Sequence, residues 1–173
     1  MEKIINKELP SGIRYISRDE KAFPEKLKEL SDCPNGIYVR GNLPDPNKKT
    51  VAIVGARMCS PYGRATASYF ARVFAANDVQ VISGLALGID GAAHEGALLA
   101  NGATFAVMAC DVSTCYPRAH IELYEQIRKT GGIISEEPCG CPPLKGLFPK
   151  RNRLISALSD IVLVVEAKKK RSF

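Results

Sequence analysis

From residue 51 onward, short apolar runs alternate with longer segments whose apolar positions recur at three- and four-residue spacing. The runs cover 51–54, 79–82, 104–108, 133–134 and 161–165, and they show no polar alternation, with only Gln80 and Thr104 polar among them. A strand that is apolar on both faces needs cover on both sides, which is the signature of a parallel sheet between helices. The intervening segments predict helices over 62–77 (Ala65, Tyr69, Phe70 and Phe74 on one side), 89–100, 121–129 and 151–158, and Gly131-Gly132 ends the third of these. With right-handed crossovers the chain folds as α/β: an open, mainly parallel, doubly wound sheet with helices on both faces. The preceding segment is read as mostly helical. Phe23, Leu27 and Leu30 share a helical face over 20–30 with Pro24 in the first turn, 37–39 is a short extended piece, and 41–50 is a turn-rich linker. The division expected is 1–46 for this extension and linker, 47–167 for the α/β domain, and 168–173 for a basic tail.

Composition changes the picture in two respects. At 46% apolar and 24% charged the chain is globular, and its apolar runs are far shorter than a membrane span. The net charge of +6 lies entirely in the last 29 residues, where Lys145, Lys150, Arg151, Arg153, Lys168, Lys169, Lys170 and Arg171 face only Asp160 and Glu166. Six cysteines in 173 residues are too few for a disulfide scaffold, and the first residues lack the apolar stretch of a signal peptide. A cytoplasmic protein with reduced thiols is expected.

In a doubly wound sheet the binding crevice lies beyond the carboxyl ends of the strands. The first strand ends in Gly55-Ala-Arg57-Met-Cys-Ser60-Pro61. Gly55 permits a sharp turn, and Ser60 or the amides after it can face an anion at a helix start. The G-x-G-x-x-G dinucleotide fingerprint is absent. Arg57 stands where its second glycine would be, either as a bidentate phosphate donor or as an incidental surface arginine on a tight turn. The second strand ends in Ser83-Gly84 without the acidic residue that holds a ribose, and the Gly- and Ala-rich stretch through Gly88 implies close backbone approach. Asp90 and His94 are four apart, so they share a helix face, either as a catalytic pair or as a structural pair bracing the loop. In Phe148-Pro-Lys150-Arg151-Asn152-Arg153 three cations beside an aromatic suit stacking plus phosphate contact with a single strand, or form a solvated charge run. The 168–171 cations would add affinity without specificity.

Other candidates are weaker. Cys139-x-Cys141 could join Cys110 or Cys115 around zinc, but the spacing follows no usual site. Cys33, Cys59 and Cys110 read as small apolar fillers, His120 as a residue near a helix start, and Ser135-Glu136-Glu137-Pro138 as a loop anchor. No metal or cofactor is expected.

Taken together the segments resemble the DNA-processing protein A (DprA, or Smf) family. The resemblance is carried by Tyr38-Val-Arg-Gly-Asn-Leu43, Val51-Ala-Ile-Val-Gly-Ala-Arg57 with Ser60 and Tyr62-Gly63, and Ser83-Gly-Leu-Ala-Leu-Gly-Ile-Asp90 with His94. It continues through Tyr116-Pro117, Gly132-Ile-Ile-Ser-Glu136 with Pro138, Phe148-Pro-Lys-Arg-Asn-Arg153 with Ser159, and Val164-Val-Glu-Ala167. It implies an extended Rossmann-like domain with no established catalytic activity. By the same resemblance the protein binds single-stranded DNA, loads the RecA recombinase onto it during natural transformation, and acts as a homodimer. Arg57, Lys150, Arg151 and Arg153 would contact the DNA backbone, with Phe148 near the bases and Asn152 in the same segment. Gly55, Ser60, Ser83, Gly84 and Gly88 would shape the pocket, and Asp90 and His94 would support its loop.

The chain departs from the family pattern in places. Ala109 and Asp111 stand where the family usually has glycine, so an acidic group is expected near the DNA crevice. After Ala167 the family continues into further elements that carry part of its dimer contact, whereas this chain reads Lys-Lys-Lys-Arg-Ser-Phe173, as a shortened member would. Two other readings remain: a nucleotide-hydrolysing enzyme of the related nucleotide-phosphoribohydrolase group, whose Pro-Gly-Gly-x-Gly-Thr segment is missing here, and a shortened paralogue that no longer binds DNA.

Overall fold

A computed structural model describes residues 9–167. The expected basic tail over 168–171 lies outside the described residues. A seven-stranded sheet forms the centre, in the order β1-β2-β6-β5-β4-β3-β7. Its strands are β1 (Ile13–Ser17), β2 (Gly36–Gly41), β3 (Thr50–Val54), β4 (Gln80–Ser83), β5 (Thr104–Met108), β6 (Gly132–Ser135) and β7 (Ile161–Val164). The pairs β6/β5, β5/β4, β4/β3 and β3/β7 are parallel, while β1/β2 and β2/β6 are antiparallel. The open, mainly parallel sheet is thus observed, with helices on both faces. Among the described residues no helix is long and apolar enough to cross a membrane.

One face carries α2 (Pro61–Ala76), α3 (Ile89–Leu99) and α4 (Ile121–Thr130), and the other carries α1 (Glu25–Lys28) and α5 (Leu147–Ala157). The period-two geometry of a strand sorts the side chains between them. Val51, Ile53 and Val81 pack with Ala67, Ala71, Ala93 and Ala97 of α2 and α3. Ala52, Ile82, Phe105, Val107 and Ile134 point the other way, onto Leu154 and Ile155 of α5, Leu158 just after it, and Leu27 of α1. Under α4, Leu123, Tyr124 and Ile127 meet Ala106, Met108 and Ile133. Cys33 and Cys59 pack against these clusters and Cys110 belongs to one, as apolar fillers do.

Two segments differ from their sequence expectation. The helix read over 20–30 is a single turn, α1, and the segment before residue 50 gives two strands to the sheet rather than a mostly helical extension. Ile13 and Ile16 of β1 and Ile37 and Val39 of β2 are buried there, so cross-strand packing of β1 on β2 and of β2 on β6 prevails over the weak helical periodicity. The run at 161–165, the most apolar in appearance, forms an edge strand, with Ile161, Val162 and Val164 all more than 40% exposed.

The order of strands places a switch point between β3 and β7. From β3 the chain steps through α2, β4, α3, β5 and α4 to β6 on one side, then returns through α5 on the opposite face to β7 on the other side of β3. A crevice opens where the two directions part, at the carboxyl ends of these strands.

Candidate nucleic-acid interface

The crevice at the switch point is a cleft of about 580 Å³. Its lining joins apolar Val54, Ile155 and Val162 to the charged side chains of Arg57, Asp90, Arg151 and Glu166, with Phe148 beside them. Arg57 and Phe148 each reach its rim for a local reason. Gly55 and Ala56 turn the chain out of β3, and Arg57 follows on the exposed turn before Ser60 caps α2, its Oγ accepting from the Gly63 amide at 3.0 Å. Phe148 lies in the first turn of α5, which begins earlier than the sequence predicts and takes Pro149 where a missing N–H is harmless.

The Arg57 guanidinium lies over the Phe148 ring at 4.8 Å from its centroid, and Tyr116 packs against the same ring at 5.7 Å between centroids. Among the described residues Arg57 has no acidic partner. It is an exposed, aromatic-backed cation with its donors free toward solvent.

The other cations of the segment, alike in sequence, are separated by the structure. Arg151 is buried at 6% exposure. Its Nη1 donates to Gly84 O at 2.9 Å and to Val107 O, pinning α5 to the carboxyl ends of β4 and β5. Burial depresses its basicity, and the nearby Asp90 carboxylate opposes that shift. Arg153 donates to Asp32 at 2.6 Å and Glu136 at 2.8 Å and ties α5 to the loops beside it. Lys150 is half-exposed, within 3.3 Å of Glu136 and 3.5 Å of Glu137, an exchangeable surface pairing. Asn152 is exposed in the cleft, and its Oδ1 accepts from Arg151 Nε at 3.3 Å.

The turn after β4 is the frame behind this rim. Ser83 is buried and its Oγ donates to Ile53 O at 2.6 Å. Asp90 accepts from the Gly84 amide at 3.1 Å, and burial raises its pKa above the carboxylate norm, against Arg151 and the backbone amides of Ala86, Gly84 and Gly55. Gly88 has φ +79°, and a Cβ there would lie against the carbonyl oxygens of Ala56 and Arg57, so only glycine lets this turn cross the Arg57 turn. Asp90 and His94 share a helix face without pairing: His94 Nδ1 instead meets Thr104 Oγ1 at 2.6 Å on β5. Thr104 Oγ1 donates to Val81 O at 2.9 Å, so it accepts from His94, leaving Nε2 bare. That atom is buried and has no partner, and the pKa of His94 is lowered to about 3 by burial, then by His120 and Arg151.

Asp111, expected near the crevice, is buried at 3% exposure and is turned inward. It accepts from Ser113 N at 2.8 Å, Ser113 Oγ at 2.6 Å and Gly140 N at 2.9 Å, which knots the loops after β5 and β6 together. Cys110, Cys115 and Cys141 of those loops are thiols outside any disulfide, and no group of three possible metal ligands occurs among the described residues. Two residues of this region had no role in the sequence reading: Tyr116, which packs on the Phe148 ring, and Glu166, whose carboxylate accepts from N and Oγ of Ser60, the residue that caps α2. Both stand in segments that carry the family resemblance, and neither has a local pattern that gives away its partner.

The sequence pattern of the family described as DNA recombination-mediator protein A matches residues 14–172. Protein Smf of Escherichia coli is 41% identical over 153 residues, which cover 88% of this chain and 41% of the relative. The DNA processing protein DprA of Bacillus subtilis is 34% identical over 160 residues, 92% of this chain and 54% of the relative. DprA of Streptococcus pneumoniae superposes with a TM-score of 0.83 at 33% identity, covering 92% of this chain and 56% of that one. DprA of Helicobacter pylori, whose structure gives insight into its single-stranded DNA binding mode, superposes at 0.78 with 32% identity over 91% of this chain and 71% of that one. The chain thus spans about half the length of the curated relatives it matches. It belongs to the DNA recombination-mediator protein A family of DNA-processing proteins.

Proposed function

We propose that the chain binds single-stranded DNA in the cleft at the β3/β7 switch point, by contact and without chemical change. One observation carries the reading: an unpaired guanidinium, Arg57, backed by the Phe148 ring at 4.8 Å in a cleft that joins apolar and charged side chains. Phosphates of a strand are met by Arg57 and by Lys150, which exchanges its surface carboxylates for them. Bases reach the ledge of Phe148 and Tyr116, and Asn152 offers an amide beside them. A duplex keeps its bases paired and cannot present their faces to that ledge. Arg151, which also lines the cleft, and Arg153 act as the pins that hold α5 and its first turn in place. Ser83, Gly84, Gly88, Asp90 and His94 hold the turn that the Arg57 turn rests on, and Gly55 and Ser60 shape that turn itself.

The wider proposal rests on the family: a cytoplasmic protein, acting as a homodimer, that protects incoming single strands and assists RecA loading in natural transformation. The family likeness and the single-strand binding mode of the Helicobacter pylori relative support it.

Fluorescence anisotropy with a labelled single strand and a duplex of equal length, at several salt concentrations, tests the binding. The single strand is expected to bind more tightly, with log affinity falling by about 0.7 per decade of salt for each phosphate neutralised. Arg57→Ala should weaken binding at least about tenfold and flatten that slope by about one phosphate. Equal affinity for both DNAs, unchanged by Arg57→Ala, refutes the reading.

A further inference from the structure

We propose that Glu166 is the specificity-determining residue of the cleft: its carboxylate fills the seat a phosphate monoester would take, and so confines the cleft to phosphodiester strands. The proposal rests on the DNA-binding reading above. In sheets of this type a nucleotide phosphate lands on the N-terminus of the helix that follows the switch-point strand. Here that helix is α2, and its seat is occupied by the chain itself. Both Glu166 carboxylate oxygens accept from Ser60 N at 3.1 Å, and Oε2 accepts from Ser60 Oγ at 2.8 Å. The backbone beneath is clamped as well, with Ala56 N donating to Glu166 O at 2.7 Å.

The seat is built for this side chain. A Cβ on Gly63 would overlap Glu166 Oε2, and one on Gly55 would stand 2.8 Å from Glu166 O. Glu166 lines the same cleft as Arg57 and Phe148, so its charge faces whatever enters. A dianionic monoester that goes for the helix N-terminus meets a carboxylate already holding Ser60 N and Oγ, with the Gly63 amide taken by Ser60 Oγ. A phosphodiester has one charge and two ester links, and is held at the rim by Arg57 without entering the seat.

The test uses the chain with Glu166→Gln and Glu166→Ala, each confirmed folded by circular dichroism and titrated with thymidine monophosphate by calorimetry. Glu166→Gln keeps an oxygen acceptor for Ser60 and removes only the charge. The unaltered chain should show no saturable binding at millimolar monophosphate, and both variants should gain at least about tenfold in affinity. A parallel titration compares an oligothymidylate bearing a 5′-phosphate with its 5′-hydroxyl form. The unaltered chain should bind the two equally, and the variants should favour the phosphorylated end. The proposal falls if neither folded variant gains monophosphate affinity, or if the unaltered chain binds the monophosphate as tightly as they do. A gain in the variants alongside no single-strand binding by the unaltered chain would uphold the masking of the seat and sink the DNA-binding reading instead.

Discussion

His94 should make the fold lose stability in mild acid, beginning near pH 6.5 and so well above the pKa of an ordinary carboxylate. Its Nδ1–H is committed to Thr104, and its Nε2 is sealed from solvent with no acceptor near enough to hold a proton. Protonation would place an uncompensated charge in the core, close to His120 and Arg151, and the pKa is accordingly lowered to about 3. In the unfolded chain a histidine titrates near 6.5. Above that pH both states are neutral and the group contributes no pH dependence. Below it the unfolded chain takes up a proton that the folded chain refuses until about pH 3. Stability therefore drops by about 1.4 kcal/mol for each unit between these limits, or about 3 kcal/mol by pH 4.5. That is a sizeable part of the roughly 5–15 kcal/mol that holds a domain of this size. The assay is urea unfolding followed by circular dichroism from pH 7.5 down to about 4.5, run beside His94→Asn. Asparagine places an amide donor where Nδ1 stands and carries no titrating group. The variant should start less stable at neutral pH and lose stability more slowly, so that the gap closes by about 1.4 kcal/mol per pH unit below 6.5. Parallel curves over that range would refute the reasoning.

Asp160 titrates in a lower window. Its carboxylate accepts from Thr50 N at 2.8 Å and pairs with Lys26 at 3.0 Å, which lowers its pKa to about 2. Stability from this group is present above about 3.8 and is lost as pH falls through 2. Asp160→Asn should cost about 1 kcal/mol at neutral pH, and the difference should vanish in strong acid. Gly88→Ala should lower the melting temperature markedly, by about 3 kcal/mol or more in unfolding free energy, because the positive φ and the Ala56 and Arg57 carbonyls both oppose a side chain. An unchanged melting curve would mean that the turn has another conformation available. Arg151→Met should strip the Gly84 and Val107 carbonyls of their donor and cost about 3 kcal/mol, whereas Lys150→Ala should leave the melting temperature within about half a kcal/mol and only weaken single-strand binding. Equal melting losses in the two variants would contradict the separation of a pinning cation from a rim cation.

Strand runs and helix periods were legible wherever burial is set by a single packing partner. The runs at 51–54 and 104–108 match β3 and β5 almost residue for residue, since a strand covered on both faces must be apolar throughout. β1 was not legible: Ile13-Arg-Tyr-Ile-Ser17 alternates loosely, and its place comes from pairing with β2 and with the distant β6. Position in a sheet is likewise invisible locally, so Ile161–Val164 reads as a core strand while it forms an edge. In the site, Arg57 and Phe148 were found by residue type and place. The partners of Arg151, Arg153 and Glu166 were hidden because each lies at least 17 residues away, at Gly84, Glu136 and Ser60 respectively. Charge in a sequence says nothing about whether that charge is already answered.

Arg151 has a mechanical consequence for the cleft. One guanidinium bridges the helix layer and the sheet, holding a carbonyl on β5 and another just past β4 in a place water does not reach. α5 therefore cannot slide by a turn or roll about its axis without giving up both bonds together. The gap between Arg57, carried out of β3, and Phe148, carried on α5, is set by the alignment of two layers and not by the mobility of a loop. The guanidinium and the ring that face each other there are held in lockstep. Any substitution that shifts α5 along the sheet, however far from the rim, moves one jaw of that gap against the other.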